Sequence, residues 1–317
     1  MKIAFVGTAE ISVPALRALV EEQDVRVGLV VTQPDRPVGR KQVLTPSPVK
    51  VVAAALGLPI FQPEKISAPD SMARLAELGL EAIVVFAYGQ ILKKNLLELP
   101  PLGCINVHAS LLPRHRGAAC IQAAILARDV ATGVSIMKMD AGLDTGPVLR
   151  TRRTPVFDRD TAETLHDRLA ALAPGLLVET LRDFGKGLIQ PQVQDSTLAT
   201  YAPKLTKDSG KIDWSLSAVE LDCFIRAMKP WPSAFTFVND EGNRKTLKIF
   251  DAIPALRADG TPGEILSVGE NGIVIAAGKQ GLLIREVQLE GRKKMSTQEF
   301  LRGFPLGMGN VLGKLSK

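Results

Sequence analysis

Asn106, His108 and Asp144 are the side chains whose types and spacing could carry chemistry in this sequence. The first two lie in Asn106-Val107-His108-Ala109-Ser110-Leu111-Leu112-Pro113, directly after an apolar run, and the third in Gly142-Leu143-Asp144-Thr145-Gly146. An amide, an imidazole and a carboxylate suffice to move an acyl group onto an amine without a metal or a covalent enzyme intermediate. In such a reaction the carbonyl oxygen gains negative charge and the attacking nitrogen must lose a proton. The Asn106 amide and a protonated His108 can donate to that oxygen, and one such donor is worth roughly 2.7–4 kcal/mol. Asp144 can keep His108 charged, or help take the amine proton through a water. Each residue also has a plainer reading. An Asn-x-His pair at a strand end is more often a hydrogen-bonded turn, and Asp-Thr-Gly is an ordinary turn sequence.

The elements that must hold these residues alternate between strand and helix. Lys2–Gly7, Val25–Thr32, Ala82–Ala87 and Gly103–His108 read as strands. Ala82–Ala87 is apolar throughout, as in a strand buried on both faces. Helices are expected over Pro14–Glu22 and Pro48–Leu56, each opened by a proline, and over Ala118–Ala127. This βαβ pattern predicts an α/β domain built on a doubly wound, mostly parallel sheet, with ligands beyond the carboxyl ends of its strands. Asn106 and His108 fall at such an end, and their i, i+2 spacing puts both on one face. Asp160 and Glu163 have capping-box spacing and open a long helix running to about Gly185. Residues 190–211 are polar and proline-bearing and read as a linker. Beyond them come a short helix near Ser215–Met228 and five strand-like pieces, Ala234–Val238, Leu247–Ala252, Gly263–Val268, Gly272–Ala276 and Leu282–Gln288, which suggest a small β-barrel. The expected domains are thus 1–189, catalytic, and 212–317, an OB-like barrel, with 190–211 between them.

Composition narrows the class. The 317 residues suit about two domains, and 46% hydrophobic residues suffice for real cores. No apolar run is long enough to span a membrane. Cys104, Cys120 and Cys223 are scattered and make no metal-ligand spacing with the three histidines, which fits a reducing cytoplasm and no structural metal. The formal charge is +6, of which +4 falls in residues 203–317, compatible with a polyanionic partner.

Taken jointly, Asn106-x-His108-x-Ser110-Leu111-Leu112-Pro113-x-x-Arg116-Gly117 and Gly142-x-Asp144-Thr145-Gly146-Pro147 resemble the signature of the folate-dependent formyltransferases. The resemblance implies that Asn106, His108 and Asp144 are the catalytic residues and that 10-formyltetrahydrofolate is the formyl donor. It implies that Ser110, Leu111, Leu112 and Pro113 contact the folate. The stretch Phe86-Ala87-Tyr88-Gly89-Gln90-Ile91-Leu92 resembles the family's pterin-binding strand and loop, which places Phe86, Tyr88, Gly89 and Ile91 against the pterin, with Tyr88 read as a rim aromatic.

Further features resemble the branch of this family that formylates an aminoacyl-tRNA. They are the basic loop 34–50 with Arg36, Arg40, Lys41 and Lys50 set against Asp35, the Ile225–Phe235 stretch, and the basic run Arg292, Lys293, Lys294. The implied acceptor is initiator methionyl-tRNA, formylated on its α-amino group for translation initiation by a cytoplasmic monomer. The basic loop has no apolar periodicity and is expected to be unanchored. Three departures from the family pattern stand out: Gln42 and Val43 follow Lys41 in place of further charge, Cys120 replaces a proline, and His115 replaces an aromatic. Neither Cys120 nor His115 is expected to touch the catalytic trio. Other readings are a nucleotide-sugar formyltransferase and a non-catalytic tRNA-binding protein. A nicotinamide dehydrogenase is disfavoured because Val6-Gly7-Thr8-Ala9-Glu10 lacks the glycine-rich fingerprint.

Overall fold

The computed structural model describes residues 1–39, 42–240, 242–255 and 260–313. The chain divides into two compact units. The first comprises Met1–Cys120, Ala131–Pro155 and His166–Ala202, and the second Ile121–Val130, Val156–Leu165 and the chain from Pro203 onward. Residues 190–202 of the expected linker therefore belong to the first unit.

In chain order the elements of the first part are β1 (Lys2–Gly7), α1 (Val13–Glu21), β2 (Arg26–Val31), β3 (Arg36–Val38), β4 (Val43–Thr45), α2 (Pro48–Ala55), β5 (Ile60–Phe61), α3 (Pro69–Ala76), β6 (Ala82–Phe86), α4 (Lys94–Leu97), β7 (Cys104–His108), α5 (Cys120–Leu126), β8 (Ala131–Lys138), β9 (Val148–Pro155) and α6 (Ala162–Gly185). Seven strands form one sheet in the order β5-β2-β1-β6-β7-β8-β9. The pairs from β5 to β7 are parallel, while β7–β8 and β8–β9 are antiparallel. The sheet is thus doubly wound and mostly parallel, with an antiparallel edge. All five residues of β6 and all five of β7 are buried, which explains the unbroken apolar character of β6. The chain leaves β1 toward β2 and β5, then returns to β6 and β7 on the other side. The switch point between β1 and β6 leaves a crevice at their carboxyl ends.

Helix starts follow local chemistry. Pro48 opens α2, and the Ser47 hydroxyl accepts from Lys50 N. At α6 the expected cap is corrected by one residue. Thr161 N donates to Thr164 Oγ1 (3.0 Å) and Thr164 N to Thr161 Oγ1 (3.2 Å), so Thr161 caps the helix. Asp160 instead accepts from Phe157 N and from the Thr164 hydroxyl, which leaves Glu163 outside the box. The expected unanchored basic loop is in part an exposed antiparallel ribbon, β3 on β4, pairing Arg36 with Thr45 and Val38 with Val43.

The second unit carries α7 (Ala218–Ala227), β10 (Ala234–Asp240), β11 (Asn243–Ala255), β12 (Ile265–Gly269), β13 (Gly272–Ala276), β14 (Gly281–Leu289), β15 (Met295–Ser296) and α8 (Thr297–Gly303). Its sheet is antiparallel, in the order β10-β11-β14-β13-β12, with β15 on β14. No strand pairing among the described residues closes this sheet into a barrel: β10 and β12 are its two edges. No helix among the described residues is long and apolar enough to cross a membrane.

Candidate active site

The segments that follow β1, β2 and β6 are tied together at the carboxyl end of the sheet. Thr8 N and Ala9 N donate to the Ala87 carbonyl (3.2 and 3.3 Å), and the Thr8 hydroxyl and Gln33 Nε2 both donate to the Tyr88 carbonyl (3.0 Å each). The loop after β6 alternates. Ala87, Gly89 and Ile91 are exposed, Ile91 at 88%, while Tyr88 and Leu92 are buried. Tyr88 is therefore not a rim aromatic. It belongs to the apolar cluster with Val6, Val31, Ile66 and Leu96, its hydroxyl is enclosed without a hydrogen-bond partner, and burial pushes the phenol up to about 12. Phe86 is likewise inside the sheet core. What this loop offers outward is backbone around Ala87 and Gly89 and the alkyl surface of Ile91. Ala87 (φ 50°) and Gly89 (φ 89°) both occupy the left-handed region, which turns the chain sharply at the strand end.

Asn106 and His108 project from β7, 8% and 7% exposed. Among the described residues no protein group hydrogen-bonds the Asn106 amide. Nor is the amide enclosed, so it is open to water or a ligand. His108 faces an acceptor at each ring nitrogen. Its Nε2 donates to the His115 carbonyl (2.9 Å), and its Nδ1 lies 3.6 Å from Asp144 Oδ2. A carbonyl and a carboxylate both accept, so a neutral imidazole would turn a lone pair toward one of them. The ring is therefore favoured as the imidazolium. Burial alone would lower its pKa. The Cys120 side chain, then Asp144 and the His115 carbonyl, outweigh burial and push it up to about 9. Cys120 and His115, expected to lie clear of the trio, thus both touch His108, one through its sulfur and one through its backbone.

Asp144 (φ 52°) sits in a turn built around glycines. A Cβ on Gly146 would come within 1.9 Å of the Lys138 carbonyl, so that position admits no side chain. Asp140 Oδ1 accepts from Gly142 N (3.0 Å) and the Thr145 hydroxyl (2.6 Å), which closes the turn. The Asp144 carboxylate accepts from Gly117 N (2.8 Å). Between them, Ser110-Leu111-Leu112-Pro113 is braced from within. The Ser110 hydroxyl donates to the Arg114 carbonyl (2.6 Å), and Ser135 links Leu112 N to the Ser110 carbonyl. Ser110 is fully buried, whereas Leu111 and Pro113 are half-buried and can face a ligand.

Sequence reasoning missed a second set of residues. Gln194, from the expected linker, joins buried Arg116 to the Asp144 turn, and Thr200 hydrogen-bonds His115 N. Of the basic residues singled out, Arg36 is exposed with a long ion pair to Glu64 (3.7 Å), and Lys50 is paired with Asp35 (2.7 Å). That pair, with Gln62, holds the Asp35 carboxyl below its usual range. Arg292, Lys293 and Lys294 lie exposed on the turn from β14 to β15, Lys294 paired with Glu286 (2.7 Å). Arg40 and Lys41 lie outside the described residues.

Residues 1–181 match the family described as formyl transferase, and residues 204–305 match its C-terminal domain. The methionyl-tRNA formyltransferase of Citrifermentans bemidjiense is 47% identical over 314 residues, covering 99% of this chain and 97% of that protein. That of Akkermansia muciniphila is 46% identical over 96% of this chain and 97% of its own length. The chain belongs to the methionyl-tRNA formyltransferase family. Solved structures place this formyltransferase in a wider fold group. An N-formyltransferase from Helicobacter canadensis, solved with folinic acid and dTDP-3-aminofucose, aligns with a TM-score of 0.64 at 17% identity over 93% of this chain and all of that one. HypX from Aquifex aeolicus, solved with tetrahydrofolic acid, aligns with a TM-score of 0.63 at 17% identity over 97% of this chain, which spans 48% of that protein. At these identities the likeness concerns the formyltransferase fold.

Proposed function

We propose that this enzyme transfers the formyl group of 10-formyltetrahydrofolate to the α-amino group of initiator methionyl-tRNA, and that Asn106, His108 and Asp144 carry the chemistry. The carrying observation is the unpartnered Asn106 amide beside an imidazole held charged between two acceptors. The folate supplies the formyl group to be moved. The residues present suit it: the exposed backbone of Ala87 and Gly89 with Ile91 offers a flat heteroaromatic ring apolar contact and hydrogen-bonding groups, and Leu111 and Pro113 add a second apolar side.

Asn106 and His108 donate to the formyl oxygen as it gains negative charge under attack by the amine. Both are nearly buried, where such donors act with little competition from water. Asp144 holds His108 in its charged form and orients it, and lies where it can receive the amine proton through a water; as the oxyanion collapses, the bond from the formyl carbon to the folate nitrogen breaks and that nitrogen takes up the proton the amine lost. The geometry of 3.6 Å between Nδ1 and Oδ2 is too long for a hydrogen bond, which leaves the Nδ1 proton available to a substrate oxygen.

Arg36 on the β3–β4 ribbon and Arg292 and Lys293 on the β14–β15 turn, together with Arg40 and Lys41, are read as phosphate contacts for the tRNA. The exposure of Arg36, Arg292 and Lys293 and the basic balance of the chain support this. The C-terminal unit is read as OB-like. Residues 309–313 support that reading because they bond to both sheet edges: Ile265 N to the Asn310 carbonyl (2.8 Å), Leu312 N to the Gly263 carbonyl (2.8 Å), and Gly313 N to the Phe237 carbonyl (2.9 Å). We place the action of the enzyme in the cytoplasm, where translation begins.

The test is formylation from 10-formyltetrahydrofolate with methionyl-tRNA, free methionine and an amino-sugar nucleotide as competing acceptors. Efficient transfer to methionyl-tRNA alone is expected. Preferred transfer to the sugar nucleotide would overturn the acceptor, and no transfer to any of them would overturn the reaction.

A further inference from the structure

We infer that Gln194 and Thr200, in the stretch that reads as linker, are positioning residues that hold the two acceptor groups facing His108. The inference rests on the catalytic reading of His108 and Asp144. Gln194 is 9% exposed, and its amide is engaged at both ends. Its Oε1 accepts from Arg116 Nε (3.2 Å) and Nη2 (2.9 Å), and its Nε2 donates to the carbonyls of Asp144 (2.9 Å) and Gly146 (2.7 Å). Only an amide can do both. A carboxylate would set acceptor against acceptor at the turn, and a cation would face the Arg116 guanidinium, itself 1% exposed.

The bond matters because Asp144 holds a left-handed conformation that a residue with a side chain adopts only when its surroundings insist. The two carbonyls that Gln194 binds are that of Asp144 itself and that of Gly146, so the amide fixes the turn at the residue whose carboxylate faces His108. Thr200 does the equivalent at the other nitrogen. Its Oγ1 accepts from His115 N (2.9 Å) and lies 3.2 Å from His115 Nδ1, and its carbonyl accepts from Arg116 N (2.8 Å). His115 is also left-handed, at φ 57°, and its carbonyl receives His108 Nε2. One short stretch therefore sets both groups that orient the imidazole.

The experiment compares Gln194→Glu, Thr200→Val, Thr200→Ser and Asp144→Asn in single-turnover and steady-state formylation across pH, with thermal melting alongside. Gln194→Glu leaves Arg116 an acceptor while removing both donors from the Asp144 turn. It is expected to lower kcat at least tenfold, with KM for both substrates within threefold, and to move the alkaline limb of the pH profile from its wild-type position. Thr200→Val is expected to lower kcat and move the same limb, and Thr200→Ser to restore both. Losses that follow only the melting temperature, with an unmoved limb in the folded fraction, would overturn the positioning role. So would wild-type kcat in Gln194→Glu and Thr200→Val while Asp144→Asn is inactive. Wild-type kinetics in Asp144→Asn would instead remove the catalytic reading. Should Gln194→Glu fail to fold, the Thr200→Val and Thr200→Ser pair decides.

Discussion

Asp144→Asn isolates charge from shape at the centre of the proposed mechanism. The substitution keeps side-chain size and an oxygen for Gly117 N, and removes one negative charge 3.6 Å from His108 Nδ1. Two unit charges about 4 Å apart interact by about 4 kcal/mol at an effective dielectric of about 20. At about 1.4 kcal/mol per pKa unit that is up to about three units. The Cys120 side chain, which raises the ring more than Asp144 does, and the His115 carbonyl both remain, so only part of the rise is lost, and a fall of about one unit is expected. Wild-type formylation should rise with pH as the substrate amine, whose ordinary pKa is about 7.7–8.0, loses its proton, and fall again near pH 9 as His108 does. In the variant the falling limb should sit about one unit lower than in the wild type. At pH 8 this leaves about half of the ring charged, so protonation alone costs about twofold.

The same substitution reports on stability with a definite sign. His108 has a higher pKa folded than its ordinary 6.5, so the folded state binds more protons between about pH 6.5 and 9. Its stabilising contribution is whole below 6.5 and is lost as pH rises through about 9. Rapid-quench formylation over pH 6–10, with denaturant unfolding at pH 6 and pH 9.5, measures both effects. An alkaline limb that stays near pH 9 in Asp144→Asn, with rates within threefold of wild type, would refute the electrostatic coupling.

Asn106→Ala is expected to lower the single-turnover rate at least about a hundredfold with little change in stability, since the amide has no protein partner to lose; rates within threefold would remove it as a donor. Gly89→Ala is expected to raise KM for the folate, because the added Cβ meets a left-handed φ of 89° and comes within 3.1 Å of Gln33 Nε2; an unchanged KM would detach this loop from the donor site. Tyr88→Phe removes a buried hydroxyl that has no partner and is expected to be neutral or stabilising by about 1 kcal/mol, read as an equal or raised Tm; a clear fall in Tm would mean the hydroxyl is bonded. Arg36→Ala and Arg292→Ala are each expected to make the salt dependence of tRNA binding shallower by about one unit without altering folate KM; equal slopes would mark both as solvated surface.

What was legible in the sequence, and what was not, divides along the range of the interactions. β6 announces itself because every residue in it is buried and apolar, and in β7, buried throughout, Asn106 and His108 share a face by simple alternation. β9 gives no such signal. Its sequence, Val-Leu-Arg-Thr-Arg-Arg-Thr-Pro, is mostly polar because only Leu149 and Thr154 in it are buried, and its arginines pair with α6, Arg152 with Glu179 and Arg150 with Asp183. The contacts that residues 190–202 make within the first unit were hidden behind the linker reading of 190–211 for a related reason. Polar, aperiodic chain looks unstructured when its partners are distant, and Gln194 finds its own 50 and 78 residues away. Cys120 and His115 are close to His108 in sequence, but no alternation or helical spacing marks them as its neighbours, because the chain between them turns through irregular loop. Charge state was hidden most completely. The sequence offers an imidazole that could be charged, but only the placement of the His115 carbonyl and the Asp144 carboxylate on opposite ring nitrogens makes the charged form the one that fits. Motif residues therefore named the chemical groups. The electrostatics that would let those groups stabilise a developing negative charge come from backbone turns and from residues no motif contains.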